Sequence, residues 1–287
     1  MSASLRLRLL DREDLPFADS VRALAGWNQT LADWERFLAL EPGGCFLAEW
    51  NGAPAGTATT LVHGPGLAWI GMVLVRPDCR RRGVGRALLE RCIEHLREQG
   101  VPCIKLDATP AGKKVYDQLG FKNEWTLTRW ERAGREPRPV TQCALVRNWR
   151  APDDQAFELL DISAFGISRK RIVPALARES RDAFVLESGP GQMAAYGLLR
   201  SGAHALYLGP VVATSADTAR QLVEALLARG DGGRIFWDIP DQNAAAVEWA
   251  RQRGFSPQRS LTRMYLGENL APGDPRLQFA LAGPEIG

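Results

Sequence analysis

The sequence predicts an α/β fold made of two tandem copies of one unit, each a mixed, mostly antiparallel sheet flanked by helices on both faces. Three observations predict it. The chain has 287 residues, which is long for one core and comfortable for two. Strand-like and helix-like segments alternate through the first half. Three anchors also recur in order. Arg8 precedes Asp14 by six positions, as Arg147 precedes Asp153. Gly71 and Gly209 are each followed 17 residues later by a Leu-Leu pair, Leu88-Leu89 and Leu226-Leu227. Gly120-Phe121 leads after five residues to Leu127-Thr128-Arg129, and Gly254-Phe255 leads after five to Leu261-Thr262-Arg263. Anchors in one order at nearly constant separation imply a duplication.

The elements of the first copy follow in order. Residues 5–10 read as a strand running into a helix over 13–24, and residues 30–40 as a second helix with Trp34, Phe37 and Leu38 on one face. Residues 45–50 and 56–62 form a hairpin around Asn51-Gly52, a dipeptide that tolerates the left-handed backbone of a tight turn. Residues 67–75 are continuously apolar, as a strand buried on both faces requires. A helix over 85–99 places Leu88, Leu89, Cys92, Ile93 and Leu96 on its core face and stops at Gly100. A strand at 103–107, a helix at 112–119 and a strand at 124–131 complete the copy. Gly134, Pro137 and Pro139 mark residues 132–139 as a linker, dividing the chain into 1–135 and 136–287.

Composition narrows the function classes. Net charge is +3 with the basic residues scattered, which gives no electrostatic case for nucleic acid and favours small or peptidic partners. The five cysteines are odd in number and lack a C-x-x-C pair, against a disulfide framework or a zinc site and for a reducing compartment. The start has no apolar signal-peptide core, and the uncharged stretch at 50–75 is too rich in glycine to span a bilayer. The expectation is a cytoplasmic protein with no membrane or metal partner, monomeric where the two copies pack as a pseudo-dimer.

The sharpest motif is Arg80-Arg81-Arg82-Gly83-Val84-Gly85, which follows the apolar strand and opens the amphipathic helix together with Arg86. Glycines let the backbone turn tightly and approach an anion, and the unpaired N–H groups of a helix start favour its charge. Val73-Leu74-Val75-Arg76-Pro77, then Arg80-x-x-Gly83-x-Gly85, then Tyr116-x-x-x-Gly120-Phe121, resembles the GNAT acetyltransferase superfamily in order and spacing. The second half is similar to the divergent C-terminal domain of bacterial tandem members through Asp161, Phe165-Gly166, Arg169, Leu208-Gly209-Pro210, Asn243 and Gly254-Phe255.

The resemblance implies acetyl-CoA as cosubstrate. It places the pyrophosphate on Arg80, Arg81, Arg82, Gly83, Val84, Gly85 and Arg86, and the pantetheine along Val73, Leu74 and Val75, with Thr109 where relatives often carry asparagine. It casts Tyr116 as the acid that protonates the departing thiolate; a helix tyrosine with its ring in the core is the structural alternative. No carboxylate lies on the apolar strand, so the base that deprotonates an amine is left open among Asp107, Asp161, Asp238 and a water chain. The histidines, His63, His95 and His204, show no convergent pattern and read as packing or surface residues. The acceptor, a small-molecule or peptide amine, is expected at the junction of the copies. Trp27 and Asn28 line it from one side and Asp161, Phe165, Arg169 and Asp238 from the other, with an Asp161–Arg169 ion pair as the structural alternative. Two functions fit: transfer of an acetyl group to a primary amine in a ternary complex, or an acyl-CoA-responsive binding protein. Only the first copy is expected to hold the cofactor. Gln221 and Val223 replace Gly83 and Gly85, Ala250 replaces Tyr116, and Asn243, opposite Thr109, marks a repurposed pocket.

Overall fold

Asn51 and Gly52 both adopt left-handed backbone (φ 52° and 79°), which closes the expected hairpin. The computed structural model describes residues 4–134, 145–189, 191–230 and 232–287. The expected boundary at 135/136, the linker residues Pro137 and Pro139, and Cys143 lie outside them. The first copy runs β1 (Leu5–Leu9), α1 (Leu15–Leu24), α2 (Leu31–Leu40), β2 (Cys45–Trp50), β3 (Ala53–Gly64), β4 (Leu67–Val75), α3 (Val84–Glu98), β5 (Cys103–Ala108), α4 (Pro110–Gln118) and β6 (Lys122–Arg132). The helix expected at 112–119 begins two residues earlier because Pro110 fits the first turn and the Thr109 hydroxyl accepts from Gly112 N–H at 3.2 Å.

The second copy runs β7 (Val146–Asn148), α5 (Asp153–Ala156), α6 (Glu158–Phe165), α7 (Val173–Glu179), β8 (Asp182–Gly189), β9 (Gln192–Arg200), β10 (Leu206–Ala213), α8 (Ala216–Arg229), β11 (Ile235–Pro240), α9 (Ala244–Gln252), β12 (Ser256–Gly267) and β13 (Gln278–Ala280). The repeated anchors do equivalent work in the two copies. Arg8 holds Asp14 at 2.6 Å and Arg147 holds Asp153 at 2.7 Å. Gly120 and Gly254 end α4 and α9 in the left-handed region (φ 88° and 78°), and the N–H groups of Phe121 and Phe255 reach back to the carbonyls of Tyr116 and Ala250.

The copies are not separate units, because their last strands are exchanged. The sheet runs β1-β2-β3-β4-β5-β12-β6-β11-β10-β9-β8-β7, so β12 pairs with β5 of the first copy and β6 with β11 of the second. Between them Leu127 faces Leu261, with Thr128 opposite Ser260 and Thr126 opposite Thr262, which sets a pseudo-twofold axis through the repeated Leu-Thr-Arg motif. Each repeated arginine then reaches into the other copy. Arg129 bonds Asp238 at 2.7 and 2.6 Å, and Arg263 bonds Asp107 at 2.9 Å through two nitrogens, with all four side chains buried. One apolar cluster also crosses the junction, joining Trp34, Phe37 and Trp69 to Phe157, Phe165 and Leu176. Among the described residues no helix is long and apolar enough to cross a membrane.

Candidate active site

β4 and β5 run parallel and pair only at Ala68 with Ile104 and Trp69 with Lys105; beyond that they diverge. A bulge deepens the split, since Met72 is left-handed (φ 52°) and the Thr57 hydroxyl donates to its carbonyl at 2.9 Å. The result is a cleft of about 780 Å³ running from the start of α3 to the second copy. At its outer end lie Arg80, Arg81, Gly83, Val84, Gly85 and Arg86. Gly83 caps α3 in the left-handed region (φ 83°) and no side chain satisfies the helix start, so its N–H groups stay free for an anion. A Cβ on Gly83 would meet nothing within 4 Å, so the space above the turn is open. These residues therefore fit a pyrophosphate, and Val73, Leu74, Val75, Thr109 and Tyr116 line the cleft beyond them. Arg82 departs from the expectation: it does not line the cleft, and its guanidinium sits 5.6 Å from the centre of the Trp50 ring, a cation–π contact. Tyr116 packs its ring 6.0 Å from that of Phe121, and burial pushes its hydroxyl up to about 12, so it remains protonated.

The same split exists in the second copy, where β10 and β11 pair at Leu206–Leu208 and then part, but the chain's own β13 fills it. Val211 and Val212, which lie 138 residues after Val73 and Leu74 as Gly209 lies after Gly71, pair with Ala280 and Gln278. Ala213 N–H donates to Leu277 O at 3.2 Å, and Trp237 Nε1 to Phe279 O at 2.8 Å. Asn243 donates from its side chain to the carbonyls of Arg276 and Gln278, both at 3.0 Å, so the feature read as a repurposed pocket is the clamp on this strand. The helix start is closed as well, since the Ser215 hydroxyl caps α8 by accepting from Thr218 N–H.

Beyond β13 the chain passes over both repeated glycines. A Cβ on Gly209 would stand 2.1 Å from the Leu281 carbonyl, and one on Gly71 2.5 Å from that of Glu285. This path brings Glu285 into the inner end of the first-copy cleft, beside Trp27, Gln29, Arg259 and Leu261. Gln29 donates to the Glu285 carboxylate at 2.6 Å. Burial raises the Glu285 pKa and repulsion from Asp33 adds to it, against the pull of Arg200. Glu285 is the titratable group that sequence reasoning missed; its only signal is a single charge in the apolar run 280–287.

Five of the seven expected acceptor residues, Asn28, Asp161, Phe165, Arg169 and Asp238, do not line the cleft. Asp161 and Arg169 form a buried pair at 2.6 Å joined by the Tyr196 hydroxyl, and Arg169 donates onward to the Gly287 carbonyl at 2.8 Å. They pin the segment that carries Glu285, which is the structural alternative with a further task. Phe165 packs on His63, 5.1 Å between ring centres, and Asp238 is taken by Arg129. Asp107 touches the cleft through its backbone alone, because its side chain is fully buried and both carboxylate oxygens accept from Arg263. Its carboxylate is thus engaged as the buried counter-charge of Arg263 and is not exposed to the cleft. Asn28 is also structural, since its side-chain oxygen accepts from the N–H groups of His204 and Ala205 and its nitrogen donates to Ala205 O. Trp27 does line the cleft.

Comparison with known proteins agrees with the duplicated geometry. Residues 8–121 match the acetyltransferase (GNAT) family and residues 158–280 an acetyltransferase (GNAT) domain. The chain belongs to the GNAT acetyltransferases as a tandem member. This GNAT chain is 28% identical over 189 residues to the uncharacterized N-acetyltransferase YitH of Bacillus subtilis, covering 66% of each. It is 25% identical over 263 residues to the holothin acyltransferase of a Pseudoalteromonas species, covering 91% of this chain and 87% of that one. A crystal structure of a proposed acetyltransferase from Pyrococcus horikoshii superposes on 99% of this chain and 96% of its own, with TM-score 0.84 and 24% identity, which shows the shared fold. The tandem GNAT protein is thus an acyltransferase with one open and one self-filled groove.

Proposed function

We propose that this protein transfers an acetyl group from acetyl-CoA to a primary amine of a small molecule or peptide, by direct transfer in a ternary complex in the first-copy cleft. The observation that carries the reading is the filled groove of the second copy. There the positions equivalent to Val73 and Leu74 pair with an extended backbone, β13, so the open edge of β4 is built to receive an extended, amide-bearing arm such as pantetheine. The free N–H groups at Gly83–Gly85 and the nearby arginines suit the pyrophosphate at the end of that arm. The name of the Bacillus relative supports nitrogen as the acceptor atom.

Acetyl-CoA supplies the acyl group as an activated thioester. Glu285 takes a proton from the ammonium of the acceptor, a task for which its raised pKa suits it better than an ordinary carboxylate. The Val73 N–H is the fixed donor placed by family resemblance at the thioester oxygen. Tyr116, protonated at neutral pH, gives its hydroxyl proton to the departing thiolate. A thiolate leaves readily, so that proton is worth the lower end of general-acid effects. Tyr116→Phe should therefore lower kcat about 10²-fold and leave acetyl-CoA affinity unchanged. A screen of primary amines with detection of the freed thiol tests both points. Thiol release that no amine accelerates would overturn the transfer reading, and an unaltered kcat in Tyr116→Phe would return that ring to packing.

A further inference from the structure

We infer that the acceptor carries an anionic group, a carboxylate or a phosphate, and that Arg259 binds it at the inner end of the first-copy cleft. This rests on the proposed transfer in that cleft and names the class of amine it uses.

Arg259 lies on β12, the strand that the second copy lends to the first, and faces Arg129 directly across the β12–β6 ladder. Like charges opposite one another on a sheet are destabilising, so each needs a counter-charge. Arg129 has one in the bidentate Asp238. Arg259 has no hydrogen-bond or ion-pair partner among the described residues, and its Nε is shielded from solvent with its bond unmade. Arg259 lines the cleft with Glu285, Gln29 and Trp27. Burial and the neighbouring Arg129 lower its pKa to about 10, while Asp238, Tyr207 and Glu285 oppose the shift; it stays charged at neutral pH and its charge is undercompensated.

The pseudo-twofold axis supplies an internal control. The mate of Arg259, 134 residues earlier as Leu127 is to Leu261, is Trp125. Trp125 faces Arg263 across the same ladder, and that guanidinium lies 4.2 Å from the Trp125 ring centre. An aromatic ring under the cross-strand arginine is thus the arrangement the fold itself accepts. On the cleft side that ring is replaced by a second cation, which sets two like charges opposite one another across the ladder. A buried, charge-assisted donor without a partner is what an anionic ligand repays. The pyrophosphate is not that ligand, because Arg80, Arg81, Arg86 and the α3 start occupy the other end of the cleft. An amine bearing an anion would present its nitrogen to Glu285 and its anion to Arg259, with Trp27 beside them.

The test uses matched pairs of amines that differ in the anion: tryptophan with tryptamine, 4-aminobutyrate with propylamine, and phosphoethanolamine with ethanolamine. Calorimetric binding to the full chain saturated with CoA should favour the anionic member of at least one pair about 10- to 100-fold. Arg259→Gln should erase that preference, and Arg259→Lys should keep part of it. The first two pairs report a carboxylate and the third a phosphate. Equal binding within every pair, or a preference that survives in a folded Arg259→Gln, overturns the inference. Thiol release from acetyl-CoA is read separately. Anionic members that bind through Arg259 and are never acetylated would sink the transfer reading alone, and neutral amines acetylated without preference would sink the role of Arg259 alone.

Discussion

Glu285→Gln is expected to lower kcat/KM by about 10²- to 10⁴-fold while acetyl-CoA binds as before. The amide keeps the size of the side chain and an oxygen for the Gln29 donor, so the tail stays seated over Gly71. What it loses is the lone pair that removes the proton of the ammonium. The pH profile adds a second readout. Because burial and Asp33 raise the Glu285 pKa, the base is protonated and idle at low pH, and activity climbs as pH rises through that value. The acidic limb of wild-type kcat/KM should thus lie above the ordinary glutamate range near 4.3 and vanish in the variant. A variant within twofold of wild type, or an unchanged limb, would exclude Glu285 as the base.

Arg263→Met should destabilise the chain by about 3–5 kcal/mol, because it strands the fully buried Asp107 carboxylate without a counter-charge. The loss also removes a cation held between two rings, 4.5 Å from the centre of Trp69 and 4.2 Å from that of Trp125. Replacing both partners, Arg263→Met with Asp107→Leu, should recover most of the loss, since no charge is then left buried. Urea unfolding measures each variant. A single variant less than 1 kcal/mol below wild type would mean that the crossed ion pairs do not hold the exchanged strands.

Most elements of the first copy were legible from periodicity and turn chemistry. The apolar run at 67–75, the Asn51-Gly52 hairpin and the α3 stripe each had one physical solution. The repeat was legible too, and its anchors proved to be the same ion pair, the same glycine contacts and the same helix ends in both copies. The exchange of β6 and β12 was not. Both strands carry Leu-Thr-Arg, and each of β5 and β11 offers an aspartate to that arginine, so either partner satisfies the local pattern. Nor was it legible which of the expected acceptor side chains line the cleft. Asp161, Arg169 and Asp238 stood out as charges among apolar neighbours, but burial forced them into ion pairs with each other or with Arg129. At the inner end of the cleft Gln29, Arg259 and Glu285 have no local signature. Glu285 arrives from a segment 214 positions beyond the Gly71 it crosses, along a path visible only once β13 is seated.

One groove of the duplicated fold is open and the other is closed by the chain itself. Titration of the purified protein with acetyl-CoA tests it directly. One molecule should bind per chain, and binding should be lost in Gly83→Val. There a branched residue is forced into left-handed backbone at a strain of about 1–3 kcal/mol, and its side chain enters the open space above the α3 start. Circular dichroism should show that variant still folded. Two equivalent sites per chain, or a single site that survives Gly83→Val unchanged, would contradict it.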